Sequence, residues 1–334
     1  MSEVVANGYL GLPGVDTDLA RDIQDDLVRV EDALRTAVTV DDPLLAESAA
    51  HLLGAGGKRF RATLVLLAAR FGDAKAPELI PAATVVELTH VATLYHDDVM
   101  DEAELRRGSA SANLRWGNSV AILTGDYVFA QASMLLADLG AEAVRLQAST
   151  FSRLVRGQIL ETSGPAEGVD AVEHYLEVIA DKTASLIATS SRFGAMFSGA
   201  SPEVVEAVTR AGEALGMAFQ LSDDLLDVAA DATSSGKEPG TDLREGVLTL
   251  PMFYALRETG PEADRLRELL GRPLDDTETA EALALLRSRP AMERAMADLR
   301  GWADRARDEL DTLPVGPARD AFATLCDYVV ERSG

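Results

Sequence analysis

The chain has 334 residues, 47% of them hydrophobic, enough for a large core without disulfide or metal staples. Lys plus Arg number 31 against 55 Asp plus Glu, a formal net charge of −24, which makes nucleic acid and anionic membrane surfaces poor partners. One cysteine, Cys326, excludes an internal disulfide and fits a reducing cytosol, so a soluble, cytoplasmic protein is expected.

Residues 1–16 carry Gly8, Gly11, Pro13 and Gly14 but no basic segment followed by an apolar stretch. They read as a flexible leader ahead of one helical domain over 17–334. Strand-like alternation of useful length is absent, whereas apolar residues recur at helical spacing, so the fold is expected to be all-α. Helices are predicted over Asp18–Val38, Pro43–Leu53, Arg59–Phe71, Pro77–Met100, Ser119–Leu139, Ala141–Thr162, Ala171–Phe197 and Pro202–Ala229. A C-terminal set follows over Thr249–Thr259, Pro261–Leu270, Thr277–Ser288, Ala291–Leu310 and Pro317–Glu331. Val85–Met100 and Val204–Asp227 are apolar over most of their circumference and belong in the centre of a bundle. The irregular stretch Ala230–Gly246 reads as a mobile flap, and no uninterrupted apolar run is long enough for a membrane span.

In chain order, the first chemical pattern is Gly54-Ala55-Gly56-Gly57-Lys58-Arg59-Phe60-Arg61, a glycine-rich turn opening a helix. Backbone N–H groups at a helix start, with Lys58 and Arg61, form a cradle for diphosphate, although the spacing is not that of a P-loop. Next comes Asp97-Asp98-Val99-Met100-Asp101, followed by Arg106-Arg107. Its outer carboxylates stand at i and i+4 on one helix face, where they can grip one cation. Lys182-Thr183 lies inside an apolar helix, where a lysine calls for a partner carboxylate or phosphate. A second triplet, Asp223-Asp224-Leu225-Leu226-Asp227, precedes the flap with Lys237. Clustered carboxylates repel unless a cation offsets them, so two such clusters predict bound divalent metal, and all-oxygen ligands favour Mg²⁺. A single triplet is also consistent with a solvated charged turn; a second one, in an apolar helix, argues against that. His96-Asp97 suggests a metal phosphohydrolase, but the four histidines do not supply the further ligand set.

Between Gly56 and Pro251 these motifs, in this order, resemble the trans-prenyltransferases, the polyprenyl diphosphate synthase family. The resemblance implies a bundle of ten or more helices around a central cavity. It implies that Asp97, Asp101 and Asp223 ligate three Mg²⁺ ions, with Asp98, Asp224 and Asp227 supporting them. Arg106, Lys182 and Lys237 would hold the diphosphate of an allylic substrate. Isopentenyl diphosphate would occupy a basic pocket of Gly57, Lys58, Arg61, His90 and Arg107. Thr183 and Gln220 would steady the reacting carbons and the departing diphosphate. A homodimer is implied as well. Two departures stand out: Ala62 where the family usually has Pro, and Val247 where many members carry Lys.

Thr93 and Ala92 lie about 6 to 7.5 Å down the helix from Asp97, and Thr89 about 12 Å down. Short-chain members place aromatic residues there as a floor. Small residues at Thr89, Ala92 and Thr93 therefore predict a long product, roughly C30 to C50, with a floor near Phe151 and a quinone side chain as a reasonable destination. The alternatives are a farnesyl or geranylgeranyl diphosphate synthase, the catalytic subunit of a heteromeric synthase, and a terpene cyclase, against which the second triplet and Lys58 argue.

Overall fold

The computed structural model describes residues 15–229 and 239–332. The leader up to Gly14, flap residues 230–238 and with them Lys237 lie outside the described residues. Helices follow in the order α1 (Thr17–Ala37), α2 (Pro43–Gly54), α3 (Phe60–Ala68), α4 (Leu79–Met100), α5 (Ala112–Trp116), α6 (Asn118–Leu139), α7 (Ala141–Ser163) and α8 (Ala171–Ile179). They continue as α9 (Ser185–Phe197), α10 (Pro202–Ala229), α11 (Thr241–Glu245), α12 (Leu250–Leu256), α13 (Pro261–Leu269), α14 (Asp276–Arg287), α15 (Pro290–Leu310) and α16 (Pro317–Glu331). The fold is all-α, and the predicted helices form with ends displaced by a few residues at most.

Aspartates start many of these helices. Asp16 accepts the N–H of Leu19 and Asp42 that of Leu45, each at 2.9 Å; Asp170 accepts from Val172 and Glu173; Asp275 and Glu278 form a reciprocal capping box. Part of the acidic excess thus serves helix N-termini, where the helix dipole favours it. Helix α3 differs. Its N-cap, Arg59, is left-handed at φ 47° and gives no side-chain cap. Buried Glu87 of α4 substitutes, accepting the Ala62 N–H at 3.0 Å and pairing with Arg59 at 3.9 Å.

Four features escape the sequence pattern. Strands β1 (Leu105–Arg106) and β2 (Ser109–Ala110) form a minimal antiparallel hairpin, Leu105 opposite Ala110. Its corner, Arg107-Gly108, has positive φ at both residues, as a tight two-residue turn requires. Short α5 and α11 also form, and the helix expected over 171–197 is interrupted by a π-helical turn, Ala180–Ala184, between α8 and α9.

The chain divides into two compact units. Of the described residues the first comprises 15–151, 186–209 and 312–324; in it α4 is the central helix, with Val85, Val86, Leu88 and Val91 fully buried, each contributing roughly 1.5–3 kcal/mol. Of the described residues the second comprises 152–185, 210–229, 239–311 and 325–332, with Ala211, Leu215, Met217, Ala218 and Leu221 of α10 in its core. Among the described residues one helix, α6, is long and apolar enough to cross a membrane by length and composition, with 33% of its apolar window buried. It meets a criterion of length and composition without being the uninterrupted apolar run that the sequence lacks. The expectation rested on an unbroken apolar run, and α6 carries Asp126 and Asp138 within its apolar stretch.

Candidate active site

Asp97 and Asp98 occupy the last turn of α4, and Asp101 is its C-cap, its N–H bonded to the Asp97 carbonyl at 2.8 Å. This is the helix C-terminus that the sequence predicts. Asp97 is half-buried, Asp101 exposed and Asp98 fully buried. The hairpin delivers Arg106, whose Nε donates to Asp98 Oδ1 at 2.6 Å. Among the described residues Asp98 Oδ2 is buried without a hydrogen-bond partner. Burial raises the Asp98 carboxyl above its ordinary range, against the pull of Arg106.

The other hairpin arginine closes the glycine turn. Arg107 Nη1 donates to the carbonyls of Leu52, at 3.1 Å, and Gly56. Position 57 requires glycine: its φ is +152°, and a Cβ would stand 3.1 Å from the guanidinium nitrogens of both Arg107 and Arg59. His90 lies among these cations, its pKa driven well below the usual imidazole range by burial and by Arg61, Arg107, Arg106 and Arg59. The structure thus gathers Gly57, Arg61, His90 and Arg107, with Lys58 exposed at the turn. Arg59, absent from the expected set, is buried and ion-paired to Glu31 and Glu87.

In the second unit the other triplet repeats the pattern. Asp224 is buried, whereas Asp223 and Asp227, four residues apart, are half-buried. Asp224 is held by the Tyr175 hydroxyl at Oδ2 and by Gln220 Nε2 at Oδ1, 2.8 Å away; Gln220 in turn accepts from Thr183 at 3.0 Å. Burial pushes Asp224 up to about 7, against those two hydrogen bonds. Asp227 has a further task, since its two oxygens accept the N–H groups of Thr241 and Asp242 at 3.0 and 3.1 Å and so cap α11. Lys182 has the carboxylate partner its setting demands, Glu161 of α7. The π turn carrying Lys182 and Thr183 approaches α7 so closely that a Cβ on Gly157 would lie 2.6 Å from the Lys182 nitrogen.

The sequence pattern does not point to Tyr175, Glu161 or Gly157 as site residues. Tyr175 stands seven residues before Lys182, the spacing of one helix face, which is the one local signal for it.

Below Asp97, Ala92 and Thr89 are buried and Thr93 is half-buried. Thr89 receives Gln147 Nε2 at 2.6 Å, and one turn further along α7 Phe151 packs on Phe129 of α6, ring centroids 4.2 Å apart.

Among the described residues no three His, Cys, Asp or Glu side chains converge as a ready-made metal group. The donor set still fits a hard divalent cation: carboxylate oxygens only, outer pairs that keep accessible surface, and a buried Asp98 oxygen without a partner. Mg²⁺ keeps several waters and takes few protein ligands, completing its shell with phosphate oxygens.

The chain belongs to the polyprenyl synthetase family, whose pattern matches residues 42–286. It is 51% identical over 333 residues to the nonaprenyl diphosphate synthase of Mycobacterium tuberculosis, covering 99% of this chain and 98% of that one. Two crystal structures are similar throughout. Geranylgeranyl pyrophosphate synthase from Corynebacterium glutamicum, complexed with calcium and isoprenyl diphosphate, has a TM-score of 0.86 at 45% identity, covering 97% of this chain and 100% of that one. A decaprenyl diphosphate synthase from Rhodobacter capsulatus also has 0.86, at 36% identity, covering 95% and 99%.

Proposed function

We propose that this chain condenses isopentenyl diphosphate with an allylic diphosphate, head to tail (1'-4), to give an all-trans long-chain polyprenyl diphosphate and diphosphate. The observation that carries the reading is the repeated construction of the triplets. In each, the central aspartate is buried and anchored by protein donors, while the outer two, four residues apart, keep accessible surface. Family membership and the names of the nonaprenyl and decaprenyl relatives support the long product, as do the small residues Thr89, Ala92 and Thr93.

Asp97, Asp101 and Asp223 hold the divalent cations, Mg²⁺ and three in number, while Asp98, Asp224 and Asp227 fix the helix ends that present them. Bound cations supply charge neutralisation of the leaving diphosphate. Arg106, Lys182 and Lys237 bind the allylic diphosphate, Lys182 exchanging Glu161 for phosphate oxygen. Gly57, Lys58, Arg61, His90 and Arg107 bind isopentenyl diphosphate through fixed cations and turn amides. Thr183 and Gln220 present polar groups beside the reacting carbons. No side-chain nucleophile is needed, because ionisation of the allylic C–O bond is followed by attack of the isopentenyl double bond and loss of one proton, taken up by the released diphosphate. The protein works as a cytoplasmic homodimer, supported by the exposed apolar residues Ile122, Leu123 and Met134 of α6, and its product serves as a quinone side chain.

The test is incubation of purified protein with labelled isopentenyl diphosphate, an allylic starter and Mg²⁺, then chromatography of the dephosphorylated product. A product longer than geranylgeranyl is expected, abolished by chelation and by Asp97→Ala or Asp223→Ala with the helical circular dichroism intact. Geranylgeranyl length or shorter, or turnover only with a second polypeptide, overturns the reading.

A further inference from the structure

The last described residue, Arg332, follows α16 and returns to the second triplet. Its Nη2 lies 2.8 Å from Asp223 Oδ1; its Nε donates to Ser222 Oγ at 2.7 Å; Nη2 also donates to the Phe219 carbonyl at 3.0 Å; and the guanidinium stacks over the Phe219 ring at 4.5 Å. Three of these four contacts do not involve the carboxylate. The guanidinium is therefore anchored on α10 whatever Asp223 does, with its side chain 13% exposed against 43% for Asp223. A fixed planar donor beside a more exposed acid sets the acid's orientation through the contact at Oδ1. It also offsets the mutual repulsion of three aspartates within five residues.

We propose that Arg332 is a positioning residue for Asp223, holding the carboxylate turned for a divalent cation. This rests on the assignment of Asp223 to cation binding. Removing a group that orients a metal ligand weakens metal affinity by about 10- to 100-fold.

The experiment measures Mn²⁺ binding by electron paramagnetic resonance, with inorganic diphosphate present, for wild type, Arg332→Met and Ser222→Ala, alongside thermal melting. Methionine retains apolar contact with Phe219; alanine at 222 removes one anchor of the guanidinium in a well-buried helix, a milder change that keeps the test open if Arg332→Met does not fold. The expected result is Mn²⁺ affinity about 10- to 100-fold weaker in Arg332→Met and a few-fold weaker in Ser222→Ala, the Mg²⁺ needed for half-maximal turnover rising in parallel. Unchanged affinity with a lowered melting temperature would make Arg332 a mere staple of α16. Tighter binding would make it a competitor of the cation. Either overturns the proposal while leaving the cation site in place, whereas wild-type protein that binds no Mn²⁺ overturns the site assignment and the proposal with it.

Discussion

Tyr175 donates its hydroxyl to Asp224 Oδ2, so the central acid of the second triplet is buried with a protein donor on each oxygen, the Gln220 amide serving the other. Tyr175→Phe removes one donor from a buried carboxylate and keeps the ring that packs on Phe253, 5.8 Å away. At pH 8 the loss should be about 1–3 kcal/mol of unfolding free energy by urea titration, with reduced turnover. An unchanged urea midpoint would show that the hydroxyl contributes nothing to holding the acid.

Asp224 also gives a pH signature. With its carboxyl pushed up to about 7, from an ordinary 3.8, the folded chain retains a proton that the unfolded chain has released. In metal-free protein this contribution is fully present below about 4 and is lost as pH rises through about 7, at up to roughly 1.4 kcal/mol per pH unit. Asp224→Asn removes it. The stability difference between variant and wild type should therefore move in favour of the variant from pH 5 to pH 8; a pH-independent difference would refute the proton retained on Asp224 as its origin.

Ala62 has an N–H where family members usually have proline, and Glu87 accepts it at 3.0 Å. Ala62→Pro should lose a bond to a buried carboxylate, about 1.5–3 kcal/mol, against about 0.4–1 kcal/mol gained from a stiffer unfolded chain. A net loss of roughly 0.5–2.6 kcal/mol is expected in chemical unfolding. A stabilised variant would show that Glu87 is satisfied by Arg59 alone.

Thr93 is half-buried one turn before Asp97. Thr93→Phe should shorten the product to geranylgeranyl or below with the rate of the first condensation retained, as read by product chromatography. An unaltered product distribution would place the growing hydrocarbon away from this face of α4.

Helix positions and the two triplets are legible in the sequence because each is a local pattern, an apolar period in one case and an i, i+4 acid pair in the other. What is not legible depends on distant partners. Helix α11 is capped by Asp227, fourteen residues away, and Glu87 looks misplaced in an apolar helix until Arg59 and the Ala62 amide are beside it. The hairpin corner uses Arg107 at positive φ, a residue type that does not announce such a turn, and a π turn does not alter the apolar period enough to be noticed. The middle aspartates look equivalent to their neighbours in sequence, and burial alone separates them.

The basic turn and the triplets respond differently to acid. Around Gly57 the charge resides on guanidinium groups beside the Lys58 ammonium, and the one histidine among them, His90, resists protonation because it is buried and those same guanidiniums surround it. From mildly acid to mildly alkaline solution these groups keep a constant charge. The second triplet, by contrast, changes its net charge over the same range through Asp224.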